Sequence, residues 1–326
     1  MTTIAELYRL YWPVVLAKVS PGTGRAYNAA WRARVAPSCA SREVETLTTL
    51  DVELVFATWS GAWSTKIDAL ACLSALCRVA VKGGLTRVNP CASVDKPKHQ
   101  DPDVAARALT LQEQQRLLDV LPTSGAYRRF VLGMLYTGAR LGEVAGLYVS
   151  DVSWADRTIS VSRSASGGLH GELVVGPTKG RRVRVVPMAD PLVPIVAEAA
   201  QGKQVHDILF PGPRGGHLNS KNLSRGLGWS TIRDQVKTFP PGEEPLHWHD
   251  LRHTAAVNFF RAGLSAPDVQ AILGHSSLAV TQLYADTRNE AAQRGAVALS
   301  AFLAQNRQGQ KLGGENATKN GSDLGK

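Results

Sequence analysis

The sequence has few cysteines and no arrangement of them that would hold a fold together. Four occur in 326 residues, none in a C-x-x-C pair, and all lie in the first third of the chain. Neither a disulfide framework nor a zinc knuckle is therefore indicated, and a reducing compartment fits this usage. Cys72 and Cys77 fall within an apolar helical pattern and are expected to be small buried residues.

Long apolar stretches are also missing. No run approaches the ~20 residues that cross a bilayer, and the N-terminal stretch MTTIAELYRLYWPVVLAKVS mixes charges with its apolar residues. It lacks the apolar core of a signal peptide. We therefore expect a soluble, unsecreted protein. The chain also has no P-loop motif, G-x-x-x-x-G-K-[ST].

Acidic residues are scarce relative to basic ones. The chain has 27 Asp and Glu against 37 Lys and Arg, a net charge of +10. This excess favours a polyanionic partner. Nucleic acid is the first candidate and an anionic membrane surface the second, while charge that serves only solubility remains open. The apolar fraction of 44% is enough for real cores, and the length suits two domains with a tail or one large domain.

The first part of the chain, residues 1–88, is predicted to be a bundle of short helices. In its first helix, Ile4, Leu7, Tyr11 and Val14 form one apolar stripe, with a kink expected at Pro13. The basic residues expected at exposed positions of the bundle, which are the candidates for DNA contact, are Arg25, Arg32, Arg34, Lys66, Arg78 and Lys82.

Residues 89–108 contain three prolines and mixed charge, which is typical of an extended interdomain linker. Helix resumes at TLQEQQRLLDVL, where Thr110 and Glu113 form a capping box. From residue 109 to about 305 the pattern is mostly helical with one small strand region. The tail, residues 306–326, is polar and rich in Gly, Asn and Lys, so we expect it to be disordered.

The strand region contains three stretches, RTISVSRS, GELVVGPT and RRVRVVPM, in which apolar and polar residues alternate. Because Gly-rich turns join them, we predict a three-stranded antiparallel sheet. Lys179 lies in the tight turn between the second and third stretches. Together with Arg181, Arg182 and Arg184 it forms either a solvated basic hairpin or a tip that reaches a groove of DNA or a phosphate. The residues alone do not decide between these two alternatives.

The stretch HWHDLRHT, residues 247–254, has a high density of titratable groups. His249 and Arg252 share a helix face, and this pair suits an anion site because Arg presents a planar fork to phosphate oxygens. His249 and His253 also have zincin spacing, with Asp250 where Glu is expected. Arg252 would repel a cation there, and only His275 is a conceivable third ligand. Functionless surface histidines are the third alternative.

A second basic position, Arg140, lies in YTGARLGEVAGL, just after a Thr-Gly break at the start of a predicted helix. The free N–H groups of such a helix end attract anions, and Arg140 would strengthen the site. Glu143, one turn on, would hold the arginine by an ion pair. The alternative is an ordinary surface pair worth less than ~1 kcal/mol.

Tyr284 closes an apolar turn within the stretch LGHSSLAVTQLYADT, residues 273–287, at helical spacing from Val280. Taken alone, a tyrosine on an apolar helix face is expected to be a core residue. Its hydroxyl is also a possible nucleophile, and only the other motifs of the chain weigh on that choice.

These motifs, in this order, resemble the tyrosine recombinases of the lambda-type phage integrase family along nearly the whole chain. Arg140 matches the first arginine box of the family, and HDLRHT matches the second, with His249 and Arg252 in its H-x-x-R positions. Lys179 falls where the family keeps its catalytic lysine. His275 in LGHSS occupies the family's His or Trp position, and Tyr284, nine residues later, occupies that of the nucleophile.

The resemblance implies a mainly α fold. Residues 1–88 would be a core-binding, SAM-like helical DNA-binding domain, and residues 109–305 a mostly helical α+β catalytic domain with a small three-stranded antiparallel sheet. It implies an enzyme that cuts and rejoins DNA through a 3′-phosphotyrosine, with no metal and no cofactor. Arg140 and Arg252 would clamp the phosphate, His275 would add a hydrogen bond, His249 would accept the proton of Tyr284, and Lys179 would be the general acid. Glu143 and Asp250 would support them.

The implied partners are specific sites on double-stranded DNA and three further copies of the chain, docked through the C-terminal segment. Arg181 and Arg182 join the DNA-contact candidates. We expect a phage or mobile-element integrase of the bacterial cytoplasm. The helical bundle begins almost at Met1, which leaves no room for an arm-binding module and predicts simple core sites. An accessory directionality factor is possible, and an Xer-like dimer resolvase or an inactive DNA-binding regulator are the alternatives.

Overall fold

The computed structural model describes residues 1–96, 104–169, 172–178, 183–240 and 242–275. Helix dominates, and within these described ranges strands occur only between residues 152 and 187. The prediction of a mainly α fold with a small antiparallel sheet is confirmed. Among the described helices, none has the length and apolar character needed to span a membrane. Lys179, Arg181, Arg182, Tyr284 and the C-terminal segment beyond residue 275 lie outside the described residues.

The helices of the first part pack around one group of buried apolar residues between Ile4 and Val94. Side chains define where several of them begin: Thr3 and Glu6 form a capping box for the first helix, and Thr48 and Asp51 form one for the fourth. The helices are α1 (Ile4–Leu16), α2 (Pro21–Ala30), which continues through a π-helical turn (Trp31–Val35) into α3 (Ala36–Cys39), then α4 (Thr49–Thr58) and α5 (Trp63–Lys82).

The predicted apolar stripe of α1 is half wrong. Ile4 and Leu7 are buried as expected, but Tyr11 and Val14 are 42% and 45% exposed and line an open groove of about 870 Å³ beside α5. Trp12 takes the core position instead, and its indole Nε1 donates a 2.7 Å hydrogen bond to a side chain of α2. A large aromatic ring with a hydrogen-bond partner thus decides which side of the helix is covered.

The second part contains nine of the described helices and its own group of buried apolar residues, from Leu109 to Leu251. The capping box of Thr110 and Glu113 is present as predicted. The helices are α6 (Val104–Arg107), α7 (Leu111–Val120), α8 (Ala126–Thr137), α9 (Leu141–Ala145), α10 (Val193–Ala200), α11 (Ser220–Leu227), α12 (Trp229–Val236), α13 (Asp250–Arg261) and α14 (Ala266–Leu273).

The end of the range expected to be an extended linker is neither extended nor free. Residues Val104–Arg107 form the short helix α6, which packs against α13. Arg107 and Ala108 are buried, at 7% exposure each. The proline-rich pattern did not reveal this docking, because it rests on a tertiary ion pair of Arg107 that is described below.

The strands divide into two sheets rather than one. They are β1 (Val152–Ser153), β2 (Thr158–Val161), β3 (Arg163–Gly167), β4 (Leu173–Pro177) and β5 (Arg184–Pro187). A three-stranded antiparallel sheet has the order β1-β2-β5, and β3 pairs with β4 as a separate ribbon. The three sequence stretches were therefore paired wrongly: the first splits at Ser162, and its two halves take different partners. Ile159 and Val186 face each other, fully buried, at the centre of the larger sheet.

Gly138 makes the sharp turn that joins α8 to α9. Its φ of +65° lies in the left-handed region, and a Cβ at this position would come within 2.5 Å of a Leu273 methyl carbon and 3.0 Å of the Ala255 Cβ. The turn therefore packs directly on α13 and α14. Only glycine satisfies both the backbone angle and the close approach.

We predict that Gly138→Ala lowers the free energy of unfolding by about 2–4 kcal/mol, since it adds left-handed strain to overpacking. Gly228→Ala is the matched control, because Gly228 has a φ of +63° with nothing within 4 Å of its Cβ position. The control should lose only ~1 kcal/mol. Urea denaturation measures both, and equal losses would show that the close packing of the turn contributes nothing.

Candidate active site

The site begins at the turn after α8, where Arg140 caps α9. The backbone N–H of Arg140 donates to Glu143 Oε2 at 2.7 Å, and its guanidinium donates to Glu143 Oε1 at 3.1 Å. The Arg140 side chain is still 41% exposed. Because α9 has only five residues, the guanidinium is the main source of positive charge here, and the expected contribution of a helix end is small.

Glu143 is buried, at 2% exposure, and is shared by two arginines. Arg184 on β5 donates to its two carboxylate oxygens at 3.1 and 2.6 Å. Burial opposes ionisation of the carboxyl, but the hydrogen bonds and charges of Arg184 and Arg140 outweigh it and hold the pKa of Glu143 below its usual value. The interpretation as an ordinary surface pair is therefore wrong. Two guanidiniums against one carboxylate leave one positive charge uncompensated.

A second buried ion pair fixes the start of α13. Asp250 accepts hydrogen bonds from Arg107 Nε at 2.8 Å and Nη2 at 2.7 Å, and from the backbone N–H of His247 at 2.8 Å. The Arg107 guanidinium also lies over the Phe239 ring. Both partners are almost fully buried. Asp250 thus anchors the first turn of the helix that carries Arg252, with His249 as its N-cap residue.

Arg252 is the largest fully buried side chain among the described residues, with 1% exposure. Its Nη1 donates to the carbonyl of Gly138 at 2.8 Å, and its Nη2 donates to that of Leu273 at 2.6 Å. These two carbonyl oxygens hold the guanidinium in one orientation. The arginine therefore presents a fixed positive charge to the space beside α9, which favours an anion there.

Three histidines surround this charge, and all are neutral at pH 7. Burial and the guanidinium of Arg252 are among the causes that lower the pKa of His253 to about 4 and that of His275 to about 3. His249 is exposed on one side, but partial desolvation and then the charges of Arg252 and Arg140 lower its pKa below 6.5. A neutral imidazole can accept a proton from a neighbouring group.

Arg140, His249 and Arg252 meet in one cleft of about 260 Å³. Trp248 forms one wall, held by a stack on Trp229 and a 2.8 Å hydrogen bond to a serine of α11. The cleft is lined by Met134, Ala139, Arg140, Leu141, Ser220, Trp248, His249 and Arg252. Two guanidiniums converging on a small, partly apolar space form a site for a compact anion such as a phosphate group.

The zincin-like pair of histidines has a different setting. The His249 and His253 rings meet edge to face, with centroids 4.8 Å apart, and His253 lies buried beneath the cleft. Within the described ranges, no group of three or more His, Cys, Asp or Glu side chains is arranged to hold a metal ion. Arg252 adds a guanidinium next to these rings, which opposes a cation.

The basic residues of the first part are less uniform than expected. Arg34 is half-buried and donates to the carbonyl of Ser60 at 2.7 Å, so it is partly used within the bundle, and Lys66 is half-buried as well. The four exposed candidates are Arg25, Arg32, Arg78 and Lys82.

Sequence patterns missed two arginines of the site. Arg184 was grouped with a basic hairpin that was either solvated or in contact with DNA or a phosphate, yet its side chain is only 8% exposed and is bound within the protein. A signal existed, because Arg184 and Val186 are two apart on a strand and share its buried face. Arg107 gave no such signal, since its partner Asp250 is 143 residues away.

Comparison with known proteins agrees with this architecture. The sequence model of the Phage integrase family matches residues 107–291, more than half of the chain. Tyrosine recombinase XerC of Neisseria gonorrhoeae is 30% identical over 222 residues, which cover 64% of this chain and 63% of XerC. Tyrosine recombinase XerA of Pyrococcus furiosus is 26% identical over 184 residues, 56% of this chain and 58% of XerA. The chain thus spans less than two thirds of either relative.

Two solved structures share the fold. The Tn1549 transposon integrase in complex with transposon right end DNA superposes with a TM-score of 0.71 at 19% identity, covering 92% of this chain and all of that one. A lambda integrase dimer bound to a COC′ core site gives 0.65 at 19% identity, covering 88% and 96%. Together with the family match over residues 107–291, these likenesses lead to one conclusion: the chain belongs to the phage integrase family.

Proposed function

We propose that the protein is a site-specific DNA recombinase that cuts and rejoins duplex DNA through a phosphotyrosine on Tyr284. One observation carries the proposal: Arg140 and the neighbouring pair His249 and Arg252, which lies far from it in sequence, line a single cleft of phosphate size. The family match and the relatives named tyrosine recombinases support the same reaction. Tyr284 follows His275 by nine residues, at the family position of the nucleophile.

In this proposal the two arginines bind the non-bridging oxygens of the scissile phosphate. Arg252 is rigid because backbone carbonyls hold two of its nitrogens, while Arg140 approaches from the exposed side. Phosphoryl transfer places extra negative charge on these oxygens in the transition state. Fixed donors aimed at that charge lower the barrier without reorganisation. His275 would add a hydrogen bond to the same group.

Proton transfer accompanies the exchange of bonds at phosphorus. Tyrosine has an ordinary pKa near 10 and is a weak nucleophile until a base takes its proton. Neutral His249 would accept that proton as the phenolic oxygen bonds to phosphorus and the bond to the 5′ oxygen breaks. Lys179 would protonate the leaving 5′ oxygen. The phosphotyrosine conserves the bond energy, so a 5′-hydroxyl reverses the step without ATP, metal or cofactor.

DNA would be held between two regions of the chain. Residues 1–88 would serve as the core-binding domain and residues 109–305 as the catalytic domain, with the net charge of +10 favouring the contact. Lys and Arg contacts to phosphates release counterions, so affinity should fall steeply with salt. The exposed residues Arg25, Arg32, Arg78 and Lys82 are the candidates on the first domain.

The biological role we favour is integration and excision of a phage or mobile element at simple core sites, by a tetramer that docks through its C-terminal segments. Likeness over 92% of the chain to a transposon integrase supports it, and a lambda integrase tetramer bound to a Holliday junction is another structural relative. An accessory directionality factor would set the direction. The alternative is an Xer-like resolvase, favoured by the relatives named XerC and XerA.

We predict that the purified protein, incubated in EDTA with sheared DNA of its source cell and quenched with SDS, retains covalently linked DNA. The phenol attacks the scissile phosphate and stays joined to it, so the protein is linked to the 3′ end of the cut strand. Every linked strand should therefore end at the same nucleotide. The tryptic peptide of residues 262–288, in which Tyr284 is the single tyrosine, should gain the mass of the attached nucleotides. Mass spectrometry and sequencing of the linked fragments measure both.

Tyr284→Phe is the control for this experiment, because it removes one oxygen and should keep DNA binding while losing all linked DNA. Linked DNA in that variant, or a lack of it in the parent, would exclude the assignment; the latter would favour an inactive regulator. The captured sequence also separates the two roles. Copies at both ends of a mobile element support an integrase, and a single chromosomal locus supports a resolvase.

We predict that cleavage loses rate only below the ordinary histidine pKa of 6.5, because the pKa of His249 is lowered and the base is already neutral at pH 7. The second-order rate constant of cleavage reports groups of the free enzyme. It should be flat from about pH 6.5 to 8 and fall with acid. His249→Gln should be slow and lack this acid limb. An acid limb centred at or above pH 7, or one that persists in the variant, would contradict the role of His249.

A further inference from the structure

We propose that Arg184 is a positioning residue for the reaction, which holds the charge of Arg140 free for the scissile phosphate and fixes the backbone in front of His275. The inference rests on the proposed function. Arg184 does not line the cleft of Arg140 and Arg252. Its influence would pass through Glu143 on one side and through the end of α14 on the other.

Three nitrogens of one buried guanidinium connect two elements of the site. Nη1 and Nη2 of Arg184 grip both oxygens of Glu143, at 3.1 and 2.6 Å, and Nε donates to the carbonyl of Ile272 at 2.8 Å. The side chain is 8% exposed. Strand β5 thus joins α9, which follows Arg140, to α14, which precedes His275.

The link to His275 is also steric. Gly274 has a φ of +69°, and a Cβ there would lie 2.9 Å from Cδ of Arg184. The aliphatic stem of the arginine therefore packs on the backbone of the residue directly before His275. Arg252 donates to the neighbouring carbonyl of Leu273 at 2.6 Å, so the last turn of α14 is held by two arginines.

The electrostatic consequence concerns Arg140. Glu143 makes a paired contact with Arg184 and only one side-chain bond, of 3.1 Å, with Arg140. Because Arg184 supplies the neutralising charge, the guanidinium of Arg140 remains 41% exposed at the cleft. Without Arg184, the buried carboxylate would draw Arg140 inward, since a buried charge seeks its nearest counter-ion.

The geometry requires arginine rather than any cation. A lysine has a single nitrogen and cannot bond both oxygens of Glu143 and the Ile272 carbonyl together. We therefore expect Arg184→Lys to keep the charge beside Glu143 but lose the bond to α14, and to fall between the parent and Arg184→Met. If Arg184 contributed to stability alone, the rates of the variants would follow their melting temperatures and not this order.

The test uses a nicked duplex built on the sequence captured from source DNA, in two forms: an ordinary scissile phosphodiester and an uncharged methylphosphonate. Single-turnover linkage is measured at saturating duplex, with DNA affinity and melting temperature alongside. Arg184→Met should bind normally but react about 100-fold more slowly with the phosphodiester, the scale of losing an oriented donor. The loss should be less than tenfold on the methylphosphonate, because its scissile group has no negative charge for Arg140 to bind.

Arg163→Met is the matched control. Arg163 lies on β3, pairs with the partly buried Asp151 at 2.9 Å and stacks on Tyr148, so it is another ion-paired strand arginine in the same domain. It should keep the parent rate on both duplexes. A second variant, Glu143→Gln, removes the carboxylate that Arg184 neutralises. In that background, Arg184→Met should lower the rate further by less than tenfold.

The outcomes separate the two proposals. A parent protein that links neither duplex overturns the proposed function, whatever Arg184 does. A parent that links DNA while Arg184→Met matches its phosphodiester rate overturns only the role of Arg184. Equal losses on both duplexes, or a multiplicative loss with Glu143→Gln, also overturn it. If Arg184→Met does not fold, Arg184→Lys carries the comparison, and a phosphodiester rate equal to that of the parent overturns the inference.

Discussion

The guanidinium of Arg252 joins two backbone segments that the rest of the site depends on. One nitrogen is bonded to the carbonyl of Gly138, at the turn that leads to Arg140, and another to that of Leu273, two residues before His275. A buried cation held by carbonyls needs surrounding dipoles in fixed places, because misplacing them exposes the charge to a low dielectric. The left-handed turn at Gly138 and the end of α14 therefore pack directly against each other. The same side chain that would bind phosphate also closes the structure behind it.

Positive charge exceeds negative charge among the side chains beside the cleft. Arg140 and Arg184 share one buried carboxylate, Glu143, so positive charge remains beside the cleft that Arg140 and Arg252 line. This excess has two effects that suit one reaction. It attracts an anionic group, and it adds to desolvation, the larger cause, in lowering the pKa of His249 and His275, so that the imidazoles stay neutral next to it. A bound phosphate and a neutral base can then coexist at pH 7 without a separate device for each.

Much of this was accessible from the sequence, for identifiable reasons. The mainly helical fold and the Thr110 capping box followed from local periodicity and cap spacing, and the meeting of Arg140 with Arg252 followed from the resemblance to the phage integrase family. The strand pairing did not, because two strands separated by a single residue take different partners. Tyr11 was assigned to the core because helix phase alone does not show that Trp12 has a hydrogen-bond partner on α2. The ion pair of Arg107 with Asp250 joins residues 143 positions apart, and one sequence holds no sign of such pairing.

That ion pair has a consequence for how the protein is divided in the laboratory. The natural place to cut a catalytic fragment is after the proline-rich stretch, at residue 109, where the capping box of Thr110 begins a helix. Such a fragment would discard Arg107 and leave Asp250, at 1% exposure, as a buried carboxylate without its guanidinium. It would also uncover the face of α13 that α6 packs against. A fragment intended to preserve the arrangement of His249 and Arg252 should begin no later than residue 104.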